Sequence, residues 1–248
     1  MCTVILLRRP DHDWPLLLAA NRDEMAQRPW RPPARHWPLS PEVVGGLDLL
    51  AEGSWLAIND HGVIAAMLNR RFSLGPADGK RSRGELVLEA LDHADAASAA
   101  ESLGQLNPAA YRPFNMVIAD NRDAYWLRAD GQRILCQPIA EGVAMLTAAE
   151  LNDLSDPRIA AYLPRFQTLP PPDPEHQDWQ SWQKLLAERA PQGVSDREAG
   201  LTFALENGFG TRSSALIALP AMRRLGVKPV FLFAAGPPDQ TPFEPVLL

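Results

Sequence analysis

The sequence predicts an α+β protein in which antiparallel sheets are sandwiched between helical layers. Three observations lead there. Periodic segments follow the order strands, two helices, strands, one helix and strands again. Short turn-rich connections join successive strand segments, which only antiparallel pairing allows. The apolar runs at 3–7 and 14–20 are too continuous for a sheet with one wet face, so a sheet covered on both sides is expected.

The two runs form a first hairpin around the turn at 8–13. Residues 26–42 carry Pro29, Pro32, Pro33, Pro38 and Pro41 among Trp30, Arg31, Arg35 and Trp37. Proline there rules out a central strand and predicts a long, stiff surface loop, either packed on the core or closing as a lid. A second hairpin pairs 54–58 with 63–68 through Asn59, Asp60, His61 and Gly62, and delivers Asn69 at a strand end. Ser82, with Glu85 three residues on, has capping-box spacing and predicts a helix through Leu86, Val87, Ala90 and Leu91. The alanine-rich stretch 95–106 predicts a second helix.

Strands resume over 114–139, and there the tripeptide of Asn21, Arg22 and Asp23 recurs as Asn121, Arg122 and Asp123. Between two apolar runs this second copy is a turn. Cys136, in a strand-like context, is expected to pack as a small hydrophobe. Proline density from Pro164 to Pro174 predicts a loop. Asp178 then opens a short helix with Trp179, Trp182, Leu185 and Leu186 on one face. Two final strands, 213–219 and 230–234, follow the glycine-rich 206–212.

Composition narrows the functional classes. The 248 residues, 46% hydrophobic, suit one domain over 1–248, and a net charge of −6 without a basic stripe argues against nucleic acid as a partner. No run of about 18 apolar residues is present, so neither a membrane span nor a signal peptide is expected. Two cysteines without CxxC spacing give no disulfide framework and point to a reducing compartment, the cytoplasm by default. Five scattered histidines lack HxxxH spacing, and no metal is assigned.

Chemistry concentrates at the start. Removal of Met1 would leave Cys2 with a thiol and a free α-amino group on one residue. The amine, with an ordinary pKa of roughly 7.7–8.0, can take the thiol proton without a histidine. Arg22 can stabilise the thiolate and Asp23 can orient the ammonium, while Asn69 is a candidate donor to an oxyanion. The hairpin returns Asn21, Arg22 and Asp23 to Cys2. The residues alone leave this reading and a purely structural one open, because Asn and Asp also serve simply as turn formers.

The stretches at 1–3, 21–24, 45–71, 82–86, 114–120 and 210–219 together resemble the NRDE, or transport-and-Golgi-organisation, family, whose N-terminal pattern is similar to that of N-terminal-nucleophile (Ntn) hydrolases of the choloylglycine hydrolase and penicillin V acylase group. The resemblance implies a four-layer αββα sandwich. It implies Cys2 as nucleophile, Arg22 and Asp23 as its charged partners, Asn69 in the oxyanion hole and Arg212 as a late arginine. Asn21, Glu24, Trp30 and Trp55 are candidate substrate contacts. The implied reaction is hydrolysis of a small molecule's linear amide through a thioester, with no cofactor.

Thr147 and Ala148 stand where those relatives carry an Asn-bearing pair, so a side-chain oxyanion donor is missing and hydrolysis is expected to be slow; Asn152 could substitute only if its loop is displaced. The alternative is a binding or trafficking protein for an apolar metabolite such as haem or an acyl-CoA.

Overall fold

The computed structural model describes residues 2–190 and 199–248, so the expected removal of Met1 lies outside the described residues. Two compact units result: 1–27 with 141–247, and 28–140 with Leu248. In chain order, strands β1 (Thr3–Arg8) and β2 (Leu16–Met25) open the first unit. The second holds β3 (Trp30–Ala34), β4 (Val43–Asp48), β5 (Leu56–Asn59), β6 (Ile64–Asn69), helices α1 (Glu85–Leu91) and α2 (Ala96–Gly104), β7 (Phe114–Ala119), β8 (Ala124–Ala129) and β9 (Ile134–Pro138). The chain returns to the first through β10 (Gly142–Leu146), α3 (Pro157–Thr168), α4 (Gln180–Leu186), β11 (Phe209–Leu219), β12 (Val230–Ala234) and β13 (Glu244–Pro245).

The first unit is one antiparallel sheet, in the order β10-β1-β2-β11-β12-β13. The hairpin forms as expected, with Thr3 opposite Asn21 and Arg8 opposite Leu16, and β2 runs on to Met25 so that residues 21–24 lie inside the strand. One face, through Ile5, Leu17, Ala19, Met145, Leu216 and Ala218, packs against α3 and α4. Helix α4 matches its predicted apolar face: Trp179, Trp182, Leu185 and Leu186 are all buried in that core.

Helix α3 replaces part of the loop expected from Pro164. Pro164 sits inside the helix, which continues to Thr168. A mid-helix proline forfeits one backbone hydrogen bond, but Ile159, Tyr162, Leu163 and Phe166 bury a continuous face around it, and that packing outweighs the local penalty. The start of α3 is well specified, with Asp156 at the N-cap and Pro157 in the first turn.

In the second unit the sheet order is β3-β4-β5-β6-β7-β8-β9, antiparallel throughout. Helices α1 and α2 cover the face that carries Val63, Ala65, Met67, Phe114, Met116, Ile118, Leu127 and Ala129. Each unit therefore supplies one sheet and one helical layer of the expected α+β set.

Several local expectations need correction. Part of the proline-rich 26–42 segment is the edge strand β3, with Pro32 and Pro33 lying where its register against β4 shifts. That is where proline is tolerated in a sheet. The capping box at Ser82 does not form: Gly84 is the N-cap of α1, with no side-chain cap. Gly84 approaches Gly53 so closely that a Cβ on Gly53 would lie 2.3 Å from the Gly84 carbonyl carbon. Backbone contact sets this helix start, while Glu85 turns to Arg81 (2.6 Å) and the Tyr111 hydroxyl (2.7 Å). Cys136 is exposed on β9 and is not packed in the core.

The second Asn-Arg-Asp copy is a turn, as expected. Asp120 accepts from the backbone N–H groups of Arg122 (2.7 Å) and Asp123 (2.8 Å), and its other oxygen accepts from Ala96 at the start of α2 (2.9 Å). Among the described residues no helix is long and apolar enough to cross a membrane, and no group of three or more His, Cys, Asp or Glu is placed to hold a metal.

Asn59 ties the second hairpin to α1. Its amide donates to Leu91 O (2.9 Å) and His93 O (2.8 Å), while its oxygen accepts from the N–H groups of His61 and Val63. Replacing Asn59 by Ala strands these buried groups and is expected to lower stability by roughly 2–4 kcal/mol, read as a lower urea midpoint with unchanged m-value.

Candidate active site

Strand β1 begins at Thr3, and its pairing with Asn21 brings Cys2 alongside Arg22 and Asp23. There the thiol takes over the ladder. Asp23 N–H donates to Cys2 Sγ at 3.4 Å and the thiol donates to Asp23 O at 3.5 Å. Burial, and after it the negative charge of Asp23, pushes the Cys2 thiol above its ordinary pKa, while the N-terminal charge, the Asp23 N–H hydrogen bond and, least of the three, Arg22 pull the other way and are outweighed.

The Asp23 side chain is wholly buried and is matched oxygen by oxygen. Thr211 Oγ1 donates to Oδ1 at 2.8 Å, and Arg158 Nη1 lies 3.3 Å from Oδ2. Arg158 Nη1 also donates to Thr3 Oγ1 at 2.9 Å, and its guanidinium lies over the Phe203 ring, 5.3 Å from the centroid. The charged partner of Asp23 thus includes an arginine that sequence reasoning missed, because α3 itself was missed. The Asp156-Pro157 pair, a helix-start signature, was the available signal.

Both partners are held from behind. Asp156 caps α3 through the N–H groups of Arg158 (3.0 Å) and Ile159 (3.3 Å), which fixes where the guanidinium begins. Thr211 N–H donates to Phe203 O (2.9 Å) and Phe203 N–H to Thr211 Oγ1 (3.2 Å). This stitch requires Gly210, where a Cβ would lie 2.5 Å from Phe203 O.

Arg22 is buried, with Nη2 4.0 Å from Glu24 Oε2. Arg212 occupies the β-bulge of β11 and clamps the end of β2, donating from Nε to Glu24 O (3.1 Å) and from Nη2 to Gly208 O (2.5 Å). Asn21 is buried and serves the fold: its amide donates to Leu186 O (3.0 Å) and Leu201 O (2.8 Å), and its oxygen accepts from Ser214 Oγ (2.6 Å). Cys2, Arg22, Asp23, Glu24 and Arg212 therefore share one end of the first sheet.

Asn69, Trp30 and Trp55 belong to the second unit. Asn69 is the last residue of β6, opposite Phe114 and partly buried. Trp30 and Trp55 meet edge to face, with centroids 5.7 Å apart.

The departure at Thr147 and Ala148 has a structural use. Thr147 Oγ1 donates to Asp156 Oδ2 (3.2 Å) and accepts from Ala149 N–H (3.2 Å), so its hydroxyl braces the α3 cap. Asn152, in the left-handed region at φ 57°, accepts at Oδ1 from Met145 N–H (2.7 Å) and donates its own N–H to Met145 O (2.9 Å). Its carboxamide oxygen is engaged at the strand edge.

Comparison with known proteins gives a consistent picture. A family model described as "Transport and Golgi organisation 2" matches residues 1–225. The cattle (Bos taurus) transport and Golgi organization protein 2 homolog is 38% identical over 115 residues, which cover 42% of this chain and 38% of that protein. The aligned stretch is thus well under half of the relative's length. Among solved structures, the Caenorhabditis elegans N-acylethanolamine-hydrolyzing acid amidase ortholog superposes with a TM-score of 0.58 at 11% identity, covering 87% of this chain and 92% of that one. Penicillin V acylase from Agrobacterium tumefaciens gives 0.58 at 14% identity, covering 95% and 83%. The fold is that of these Ntn-type hydrolases.

Arg158→Met removes the guanidinium 3.3 Å from the buried Asp23 carboxylate and is expected to cost about 3–5 kcal/mol in chemical unfolding; combining it with Asp23→Asn recovers part of the loss, a non-additivity read by a double-mutant cycle. In a Cys136→Ser background that retains Met1, alkylation of Cys2 is expected to be slow at neutral pH. It rises only above the ordinary thiol pKa of about 8.5. Arg22→Gln moves that rise to still higher pH.

Proposed function

The chain belongs to the transport and Golgi organisation 2 family, and from that membership we propose that it is an N-terminal-cysteine hydrolase that opens a linear amide of a small molecule. One observation carries the reading: Cys2 Sγ lies against the Asp23 backbone, with the charges of Asp23 and Arg22 both acting on the thiol. The fold likeness to proteins named as an amidase and an acylase supports the same class of reaction.

Once Met1 is removed, the α-amine of Cys2 takes the thiol proton and becomes an ammonium beside the Asp23 charge. The thiolate attacks the amide carbon, the C–S bond forms and the carbonyl oxygen becomes an oxyanion. The ammonium returns its proton to the leaving nitrogen as the C–N bond breaks, leaving a thioester. Water, deprotonated by the same amine, then releases the acid and restores the thiol. Arg22 offsets thiolate charge, Arg158 and Thr211 keep the Asp23 carboxylate fixed, and Asn69 is assigned the oxyanion by resemblance. Ala148, in place of the Asn of the pair those relatives carry, leaves that oxyanion one side-chain donor short, worth roughly 10²–10³ in rate.

That shortfall favours a second reading, a binding protein for an apolar metabolite such as haem or an acyl-CoA on a hydrolase scaffold. The two separate cleanly. Under the first, intact mass places the mature N-terminus at Cys2, a thiol-reactive amide analogue labels it, and Cys2→Ala loses at least about a thousandfold in turnover with an unchanged melting temperature. Retention of Met1 without labelling defeats it. Under the second, Cys2→Ala binds haemin or acyl-CoA as the parent chain does.

A further inference from the structure

We propose that the loop joining β6 to α1 docks the protein on an anionic lipid bilayer. In that loop Phe72 is 99% exposed and Leu74 44% exposed, while Ser73 between them is buried. Phe72 sits in the left-handed region at φ 63°, a conformation a bulky side chain rarely adopts. Fully solvated, its ring gives the fold nothing in return for that strain. Such a residue persists only where the surroundings over-determine it.

Two arginines do so. Arg112 donates to the carbonyls of Phe72 (2.9 Å), Leu74 (2.6 Å) and Pro76 (3.1 Å), and Arg83 to Ser73 O (2.8 Å), Ser73 Oγ (3.1 Å) and Pro113 O (3.0 Å). Both guanidiniums also reach Gly75 O, at 3.4 Å. Five successive carbonyls, 72–76, are thus gathered on two cations. The loop is pre-organised with its apolar side chains outward, so docking carries little ordering cost.

Charge names the occupant. The protein has a net charge of −6, yet residues 70–83 carry Arg70, Arg71, Lys80, Arg81 and Arg83 against Asp78; Glu85, just beyond, pairs with Arg81 and still leaves the stretch positive. The carbonyls bound by Arg112 and Arg83 are neutral and leave the positive field in place. An aromatic tip on a loop rich in Lys and Arg suits the headgroup boundary of an anionic leaflet, the ring entering the acyl edge and the cations remaining among phosphates. Two exposed apolar side chains are too small a patch for a stable protein interface. Like charge opposes the same loop meeting itself in a second copy.

Vesicle co-sedimentation with the full chain tests this. Phosphatidylcholine vesicles with about a third phosphatidylserine should bind the protein, pure phosphatidylcholine vesicles at least about tenfold less, and added salt should weaken binding. Phe72→Ser should lose about tenfold and Lys80→Gln about fivefold. Leu39→Ser, which removes a 98% exposed leucine on another loop, should change nothing. Phe72→Ser should keep the parent melting temperature, which separates lost docking from lost folding. Cys2→Ala should bind normally, so this proposal and the hydrolase reading fail independently. Equal binding to both vesicle types, full binding by Phe72→Ser, or a concentration-dependent dimer abolished by Phe72→Ser would overturn it, the last assigning the loop to a second copy. Capture only by an acidic protein, with no vesicle binding, would overturn it as well.

Discussion

A carboxylate sealed from water must be matched atom by atom, and Asp23 sets that demand for the first unit. Its two oxygens are met from β11 and α3 by Thr211 and Arg158, and Arg158 in turn holds Thr3 on β1. Three elements far apart in sequence converge because an unmatched charge there would cost several kcal/mol. The bulge at Arg212, the α3 cap at Asp156 and the tight approach of Gly210 to Phe203 all serve that convergence.

The same arrangement gives the thiol two opposed settings under the proposed chemistry. Desolvation and the Asp23 charge hold the Cys2 thiol above its ordinary pKa, and the N-terminal charge, the Asp23 N–H and Arg22 together do not overcome them. Under that chemistry the N-terminal positive charge, which already pulls the thiol down, would move onto the Cys2 nitrogen itself. Processing at residue 1 would then act as an electrostatic switch on a site already built.

Much of this was legible in the residues. Two apolar runs and a short turn fix the register that carries Asn21, Arg22 and Asp23 back to Cys2, and the contrast between the two Asn-Arg-Asp copies follows from their flanks: a turn at 121–123, strand interior at 21–23. Helix α3 was obscured by Pro164, whose local penalty is overcome by tertiary burial that no single-residue propensity contains. With α3 hidden, Arg158 was hidden too, and the nearest cation in sequence, Arg22, took the whole role. The Ser82–Glu85 spacing promised a capping box, but a backbone approach between Gly53 and Gly84 settled the helix start. Close contacts between distant glycines leave no local trace.

Sheet borders are where unrelated chains can add strands, and here the borders are blunted. β3 carries Pro32 and Pro33, β9 ends in Pro138 and β13 in Pro245, each lacking the N–H that an incoming strand would recruit. The remaining border, β10, has no proline, but Asn152 folds back to occupy both the N–H and the carbonyl of Met145. The left-handed turn at Asn152 thereby acts as a gatekeeper against fibril-like growth, a duty separate from the chemistry proposed at Cys2.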